Sequence, residues 1–167
     1  GPDGAGKSTA INLFLNFLNQ FVINTESVLV AWRPQYLKRL AYYRKNKNHL
    51  DKASKAEKVR NIPSRVSSFF RFIYYCLDYV LGYYFKYRKI LKNEGFVVFD
   101  RYSYDFIIQP PYRSYINLPR FIKSFFGFFI PKPKLTIYFK SDAETLYSRK
   151  QEETLEELEE LVVLYDE

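Results

Sequence analysis

GPDGAGKST, residues Gly1 to Thr9, is the stretch from which the fold of this 167-residue chain is read. It meets the pattern G-x-x-x-x-G-K-[ST] at every fixed position. Glycines at 1, 4 and 6 let the backbone turn so that successive N–H groups point inward, where a Cβ would obstruct. Such a concavity suits a phosphate: Gly1, Gly4, Ala5 and Gly6 supply backbone, Lys7 reaches the outer phosphates, and Ser8 offers its hydroxyl to Mg²⁺. The apolar residues that follow, Ile11, Phe14, Leu15, Leu18 and Val22, recur at helical spacing. A helix starting here adds about half a positive charge at the anion. The ligands this stretch predicts are ATP, or another nucleoside triphosphate, and Mg²⁺.

Working outward, Ser27 to Trp32 (SVLVAW) is a short β-branched run that reads as a buried strand. Arg33 stands at its carboxyl end, where open α/β sheets place ligands. Phe96 to Asp100 (FVVFD) is a continuous apolar run ending in an acid, the pattern of a central parallel strand that delivers a carboxylate to a site. Asp100 is placed to hold Mg²⁺ or its water, and Arg101 to neutralise charge on a transferring phosphoryl group. Leu135 to Phe139 (LTIYF) reads as a further buried strand. Strands alternating with helices predict an α/β fold with a parallel sheet.

Ser64 to Asn93 reads as one long helix, with Gly95 as its stop. Val66, Phe69, Phe70, Ile73, Leu77, Leu81, Tyr84 and Leu91 track one stripe, expected to be its core face. Asp78 in this run is costly unless it is paired, at a boundary or facing a polar cleft; an exposed position is the alternative. Tyr36 to Arg60, with nine Lys+Arg, reads as a solvated helix-and-loop insertion rather than a nucleic-acid site. Tyr102 to Pro119 reads as a Tyr- and Pro-rich loop carrying Asp105, Gln109 and Arg113. The aromatic segment Phe121 to Ile130 is too short to span a bilayer; packing against the sheet or another segment is expected, and lying on a bilayer is the alternative. Ser141 with Glu144 and Thr154 with Glu157 form two capping boxes, each opening a helix. Between them, at about 148–154, Arg149 and Lys150 sit at a joint, as in a lid that closes over a triphosphate.

Composition narrows the class. Tyr and Phe number 16 each, so rings carry the packing that Leu and Val usually carry. A single cysteine, Cys76, excludes an internal disulfide, which suits a reduced, cytoplasmic compartment, and no leader peptide is visible. Residues 1–140 hold 24 Lys+Arg against 8 Asp+Glu, whereas residues 141–167 hold 2 against 10. The basic part suits phosphates, nucleic acid or an anionic surface alike. With no Met and the loop at residue 1, the chain is expected to be the internal part of a longer protein, truncated at both ends of a single kinase-sized domain.

GPDGAGKST, then VVFDRY about one hundred residues on, then LTIYF followed by E-T-L-x-x-R, resemble the thymidylate kinase family of nucleoside monophosphate kinases. The resemblance implies a three-layer P-loop NTPase fold whose first and last strands lie outside these residues. The partner expected is a small phosphate acceptor, with a homodimer as one assembly, and the residues themselves argue for neither nucleic acid nor stable membrane insertion. The resemblance implies that Lys7, Ser8 and Thr9 hold the donor, that Asp3 contacts the acceptor's sugar, and that Asp100 is the metal or water carboxylate. Arg101 falls on the arginine that grips the acceptor phosphate, with Tyr102, Asp105, Arg33 and Asp78 around the acceptor. Where one branch of the family carries an assisting arginine in the loop, this chain has Gly4; Arg149 would supply that cation, as in the bacterial branch.

The acceptor half departs from the family. Asp78 stands roughly where the family has an arginine for the acceptor phosphate, and YSYDFIIQPPYR replaces the stretch that reads thymine. The D-R-Y-x-x-D form with the W-R-P strand end is similar to divergent thymidylate-kinase-like proteins, some from bacterial surface-polysaccharide loci. The activity implied is transfer of the γ-phosphoryl group to a nucleoside monophosphate, dTMP first. A sugar or polysaccharide precursor as acceptor, and a binding module without catalysis, are the alternatives. A basic, aromatic-rich protein peripheral to an anionic membrane is a third class, for which the sequence offers no clean basic amphipathic helix.

Overall fold

Helix α1, Lys7–Phe21, starts where the glycine loop ends, with Ala10 N–H donating to Gly6 O at 3.1 Å as its first turn closes. The computed structural model describes residues 4–21, 25–37, 62–149 and 153–166. About 59% of these are helical, and the fold is mixed α/β with a small parallel sheet. Gly1, Asp3, Lys150 and nearly all of the basic segment 36–60 lie outside the described residues. The chain divides into two compact units, one of Gly1–Trp32, Phe85–Tyr102 and Lys132–Glu167, the other of Arg33–Tyr84 and Ser103–Pro131.

In the first unit, β1 (Ser27–Val30) pairs in parallel with β2 (Phe96–Phe99), Ser27 opposite Phe96 and Val30 opposite Phe99. Asp100 N–H extends the ladder by donating to Val30 O at 3.0 Å, which fixes the backbone that carries the carboxylate. Helix α3, Arg88–Lys92, closes one side of the sheet: Ile90 and Tyr87 pack with Val30 against Val28, Val97 and Phe99. Glu94, with φ 60°, takes the left-handed step after α3 that the sequence suggests for Gly95.

Leu135 to Phe139 corrects the sequence reading in part. Among the described residues the segment ladders with neither β1 nor β2, and it is no buried strand, since Leu135 and Ile137 are 75% and 65% exposed. An apolar run becomes a strand only where a neighbour takes its N–H and C=O groups, and among the described residues none does. Helices α7 (Ala143–Arg149) and α8 (Leu155–Asp166) follow. α8 has the reciprocal box as read, Thr154 N–H to Glu157 Oε2 at 3.2 Å and Glu157 N–H to Thr154 Oγ1 at 3.3 Å. α7 is capped one residue later than the sequence suggests, by Asp142 Oδ2 accepting from Thr145 N–H at 2.8 Å. That bond holds the Asp142 carboxyl below its usual range.

In the second unit, Ser64 Oγ caps helix α2, Arg65–Gly82, by accepting from Ser67 N–H at 3.3 Å. A π turn, Tyr83–Tyr87, leads on to α3, so the long helix is found, with one wide turn in it. Its buried face is not the expected stripe. Val66, Phe70 and Leu77 are exposed, whereas Ser68, Arg71, Phe72, Tyr75, Asp78 and Tyr79 are buried. The expected loop after Tyr102 instead holds helices α4 (Tyr104–Ile108) and α5 (Pro111–Ser114), and α6, Arg120–Gly127, follows. Phe106 of α4 organises this unit, meeting the rings of Phe72, Tyr75 and Tyr79 at 5.6, 5.8 and 5.9 Å.

Candidate functional site

The glycine loop has the backbone its composition requires. Gly4 and Gly6 hold φ 87° and 85°, values that only glycine adopts at no cost. A Cβ at Gly6 would meet nothing within 4 Å, so conformation and not crowding demands glycine there, and the space before it is open. Lys7 is half-buried, and Ser8 and Thr9 are exposed at the first turn of α1. Ala5 packs against the cluster of Leu146, Leu158 and Leu161, which seats α7 and α8 on the loop.

That packing delivers Arg149. At the last turn of α7, its Nη1 donates to Gly4 O at 3.3 Å, although the side chain is exposed. The expected cation thus reaches the loop. At the far end of β2, Asp100 Oδ1 is a buried oxygen with no hydrogen-bond donor among the described residues. Arg101 and Tyr102 follow half-buried, and the Tyr102 ring stands edge-on to Phe99 at 4.9 Å.

The orphaned oxygen is the local test for a metal. Among the described residues no three His, Cys, Asp or Glu side chains converge to hold an ion by themselves. A cation at Asp100 would need further ligands, and Ser8 is the one the loop sequence offers.

The remaining candidates lie in the second unit, where Arg33 and Asp78 are bound to each other. Arg33 Nη1 meets Asp78 Oδ2 at 3.0 Å, and both side chains are buried. Asp78 also accepts Gln35 N–H at 3.1 Å and Leu37 N–H at 2.8 Å. The exposed alternative for Asp78 falls: it is the paired acid, and it pins Arg33 to Leu37 onto α2. Asp105 is buried in the first turn of α4.

Arg71 and Tyr75 are not among the candidates that the sequence offers. Both are buried on the face that carries Asp78, at positions i, i+4 and i+7. Arg71 Nη1 donates to Tyr115 O at 2.7 Å, and the Arg33 guanidinium lies 4.7 Å from the centre of the Tyr75 ring. Burial pushes the Tyr75 hydroxyl up, against the pull of Arg33 and Arg71. That spacing of an arginine, a tyrosine and an aspartate was the available signal.

Comparison with protein-family models, with curated proteins and with solved structures gives no match. The site is read from its own chemistry.

Proposed function

We propose that this chain is a Mg-ATP-dependent phosphotransferase of thymidylate-kinase-like, three-layer P-loop architecture. The observation that carries the reading is the loop before α1, with Gly4 and Gly6 at positive φ and Arg149 hydrogen-bonded to its backbone. In this reading the loop N–H groups and Lys7 bind the triphosphate, and Ser8 and Asp100 hold Mg²⁺. Bound ATP supplies the γ-phosphoryl group. Arg149 and Arg101 offset the charge that spreads over it during in-line transfer, and positioning does most of the work. The acceptor must be fixed in line with the γ-phosphoryl group, and Asp3, Arg101 and Tyr102 are the residues proposed to hold it.

The acceptor proposed first is a nucleoside monophosphate, dTMP. A sugar or polysaccharide precursor is the second.

The test is ADP release by the protein with ATP and Mg²⁺ against a panel of nucleoside monophosphates and sugars, alongside Lys7→Ala. Acceptor-dependent turnover that Lys7→Ala removes, with the fold retained, supports the reading. Nucleotide binding without turnover on any acceptor would move it to a binding module, and unchanged binding in Lys7→Ala would sink the phosphate-loop assignment.

A further inference from the structure

Helix α6 is built inside out. Its inward flank holds the buried Lys123, whose Nζ donates to Gln109 O at 3.5 Å. Gly127, one turn on, lies so close to α4 that a Cβ would stand 2.7 Å from Ile107 Cδ1. The phenylalanines point the other way: Phe121, Phe125, Phe128 and Phe129 are 73%, 63%, 72% and 60% exposed. At spacings i, i+4, i+7 and i+8 they share one side of the helix and of the turn that continues it.

These rings are ordered from beneath. Phe125 meets Phe126 at 5.3 Å and Phe129 at 5.7 Å, and Phe126 meets the fully buried Phe72 at 6.3 Å. Phe126 also touches Phe69 at 5.9 Å, and Phe69 touches the exposed Phe70 at 6.0 Å. A row of edge-on contacts therefore runs from the core out to one aromatic face shared by α6 and the start of α2. Contiguous exposed apolar surface of this kind marks a contact site.

Charge selects what it contacts. From Phe106 to Pro131, within the second unit, the chain holds Arg113, Arg120 and Lys123 and no Asp or Glu. In the described part of the second unit the acids are Asp78 and Asp105, both buried. Arg65, opening α2, and Arg120, opening α6, are exposed beside the rings. A second copy of the chain seated on this face by a two-fold axis would set that cationic rim against itself, with no exposed acid among the described residues of this unit to answer it. An anionic surface with an apolar interior answers both features at once.

We infer that this face docks on a bilayer surface bearing anionic phospholipids, with the phenylalanine rings entering the boundary between headgroups and acyl chains and Arg65 and Arg120 meeting the headgroups. Among the described residues no helix is long and apolar enough to cross a membrane, so the contact is peripheral. It is independent of the phosphotransfer reading.

The test is flotation of the whole chain with vesicles of phosphatidylcholine alone, and of phosphatidylcholine with phosphatidylserine, at low and high salt. The protein is expected to float with the phosphatidylserine vesicles at low salt and to release as salt rises. Phe125→Ser with Phe129→Ser should weaken the partition about tenfold for each ring removed. Arg120→Glu, which leaves every ring in place, should weaken it on the anionic vesicles only. Circular dichroism checks that both variants fold. Absence of flotation by the unaltered chain, or equal flotation by the double phenylalanine variant, overturns the inference. So does a concentration-dependent dimer that the same variant dissociates, which would give the face to a second copy.

Discussion

Arg149 Nη1 lies 3.3 Å from the carbonyl oxygen of Gly4, a hydrogen bond that brings together residues 145 positions apart. Because the side chain is exposed and the helix is held by Leu146, truncating it should leave the fold intact. Arg149→Ala is expected to lower turnover about 10²-fold or more, the scale of one lost transition-state charge contact, with little change in ATP affinity. Arg149→Lys should restore part of the rate. A lower melting temperature with kcat unchanged would make Arg149 a clasp for the loop and nothing more.

Asp100 and Arg101 are neighbours proposed to have different tasks, so their variants should differ in kind. Asp100→Asn is expected to raise the Mg²⁺ concentration needed for half-maximal turnover, since the buried Oδ1 is the oxygen proposed to face the cation. Arg101→Ala should lower the rate by roughly 10²-fold at any Mg²⁺ concentration. Magnesium titrations of both variants, read side by side, decide this; equal small effects would mean that the pair is structural.

The Arg33–Asp78 pair should show its importance in stability. Asp78→Ala strands a buried guanidinium and removes the acceptor of two backbone N–H groups, and is expected to cost about 3–5 kcal/mol. Urea unfolding monitored by far-ultraviolet circular dichroism measures it. A loss below about 1 kcal/mol would place the pair in water.

Gly82 leaves no room for a side chain: a Cβ there would fall on Pro34 Cβ, with Pro34 Cγ 2.8 Å away. Proline's ring cannot swing aside, so Gly82→Ala is expected to destabilise by about 1–3 kcal/mol, despite alanine's better helix propensity. The same urea experiment reads it, and a stabilised variant would show that Pro34 is not seated as described.

Lys123 predicts a pH dependence. Burial, with Arg120 nearby, lowers its pKa to about 8 from 10.5. Below about 8 folded and unfolded chains both hold the proton, and the cost of burying the ammonium is fully present. Between about 8 and 10.5 the folded chain has released the proton while the unfolded chain retains it, so this group's contribution to stability rises with pH. Cys76, pushed up to about 12 from 9.0 by burial, acts in the opposite sense above 9. The comparison is therefore between the chain and Lys123→Met: the variant should be the more stable near neutral pH, by a margin that shrinks as pH rises through this window. A margin that stays constant would mean that Lys123 is solvated.

Helix α2 shows what could be read from sequence and what could not. Its cap at Ser64 and its length were legible because capping and periodicity are local properties. Its buried face was not, since rings line both sides and hydrophobicity alone could not choose between Phe70 and Phe72. The choice is made by partners far away in sequence: Asp78 meets Arg33, Arg71 meets Tyr115 O, and Ser68 Oγ accepts from Asn117 N–H at 3.0 Å. In the candidate site the loop glycines, Asp100 and Arg149 were legible, because each residue type is tied to a backbone conformation or a strand end. Arg71 and Tyr75 were not, because their environment comes from α4 and the turn at Tyr115, in a stretch that read as loop.

The register of β1 against β2 also bears on how the chain reaches this structure. Ser27 opposite Phe96 and Val30 opposite Phe99 give a constant separation of 69 residues, so the ladder closes a large loop for four paired positions. The length-dependent part of that closure entropy is about 4 kcal/mol, more than so short a ladder returns at its first contact. Docking of Arg33 to Leu37 on α2 lies inside the loop and shortens it. Folding should therefore proceed from that docking to the sheet, and Asp78→Ala should slow the refolding limb of a chevron rather than only speed unfolding.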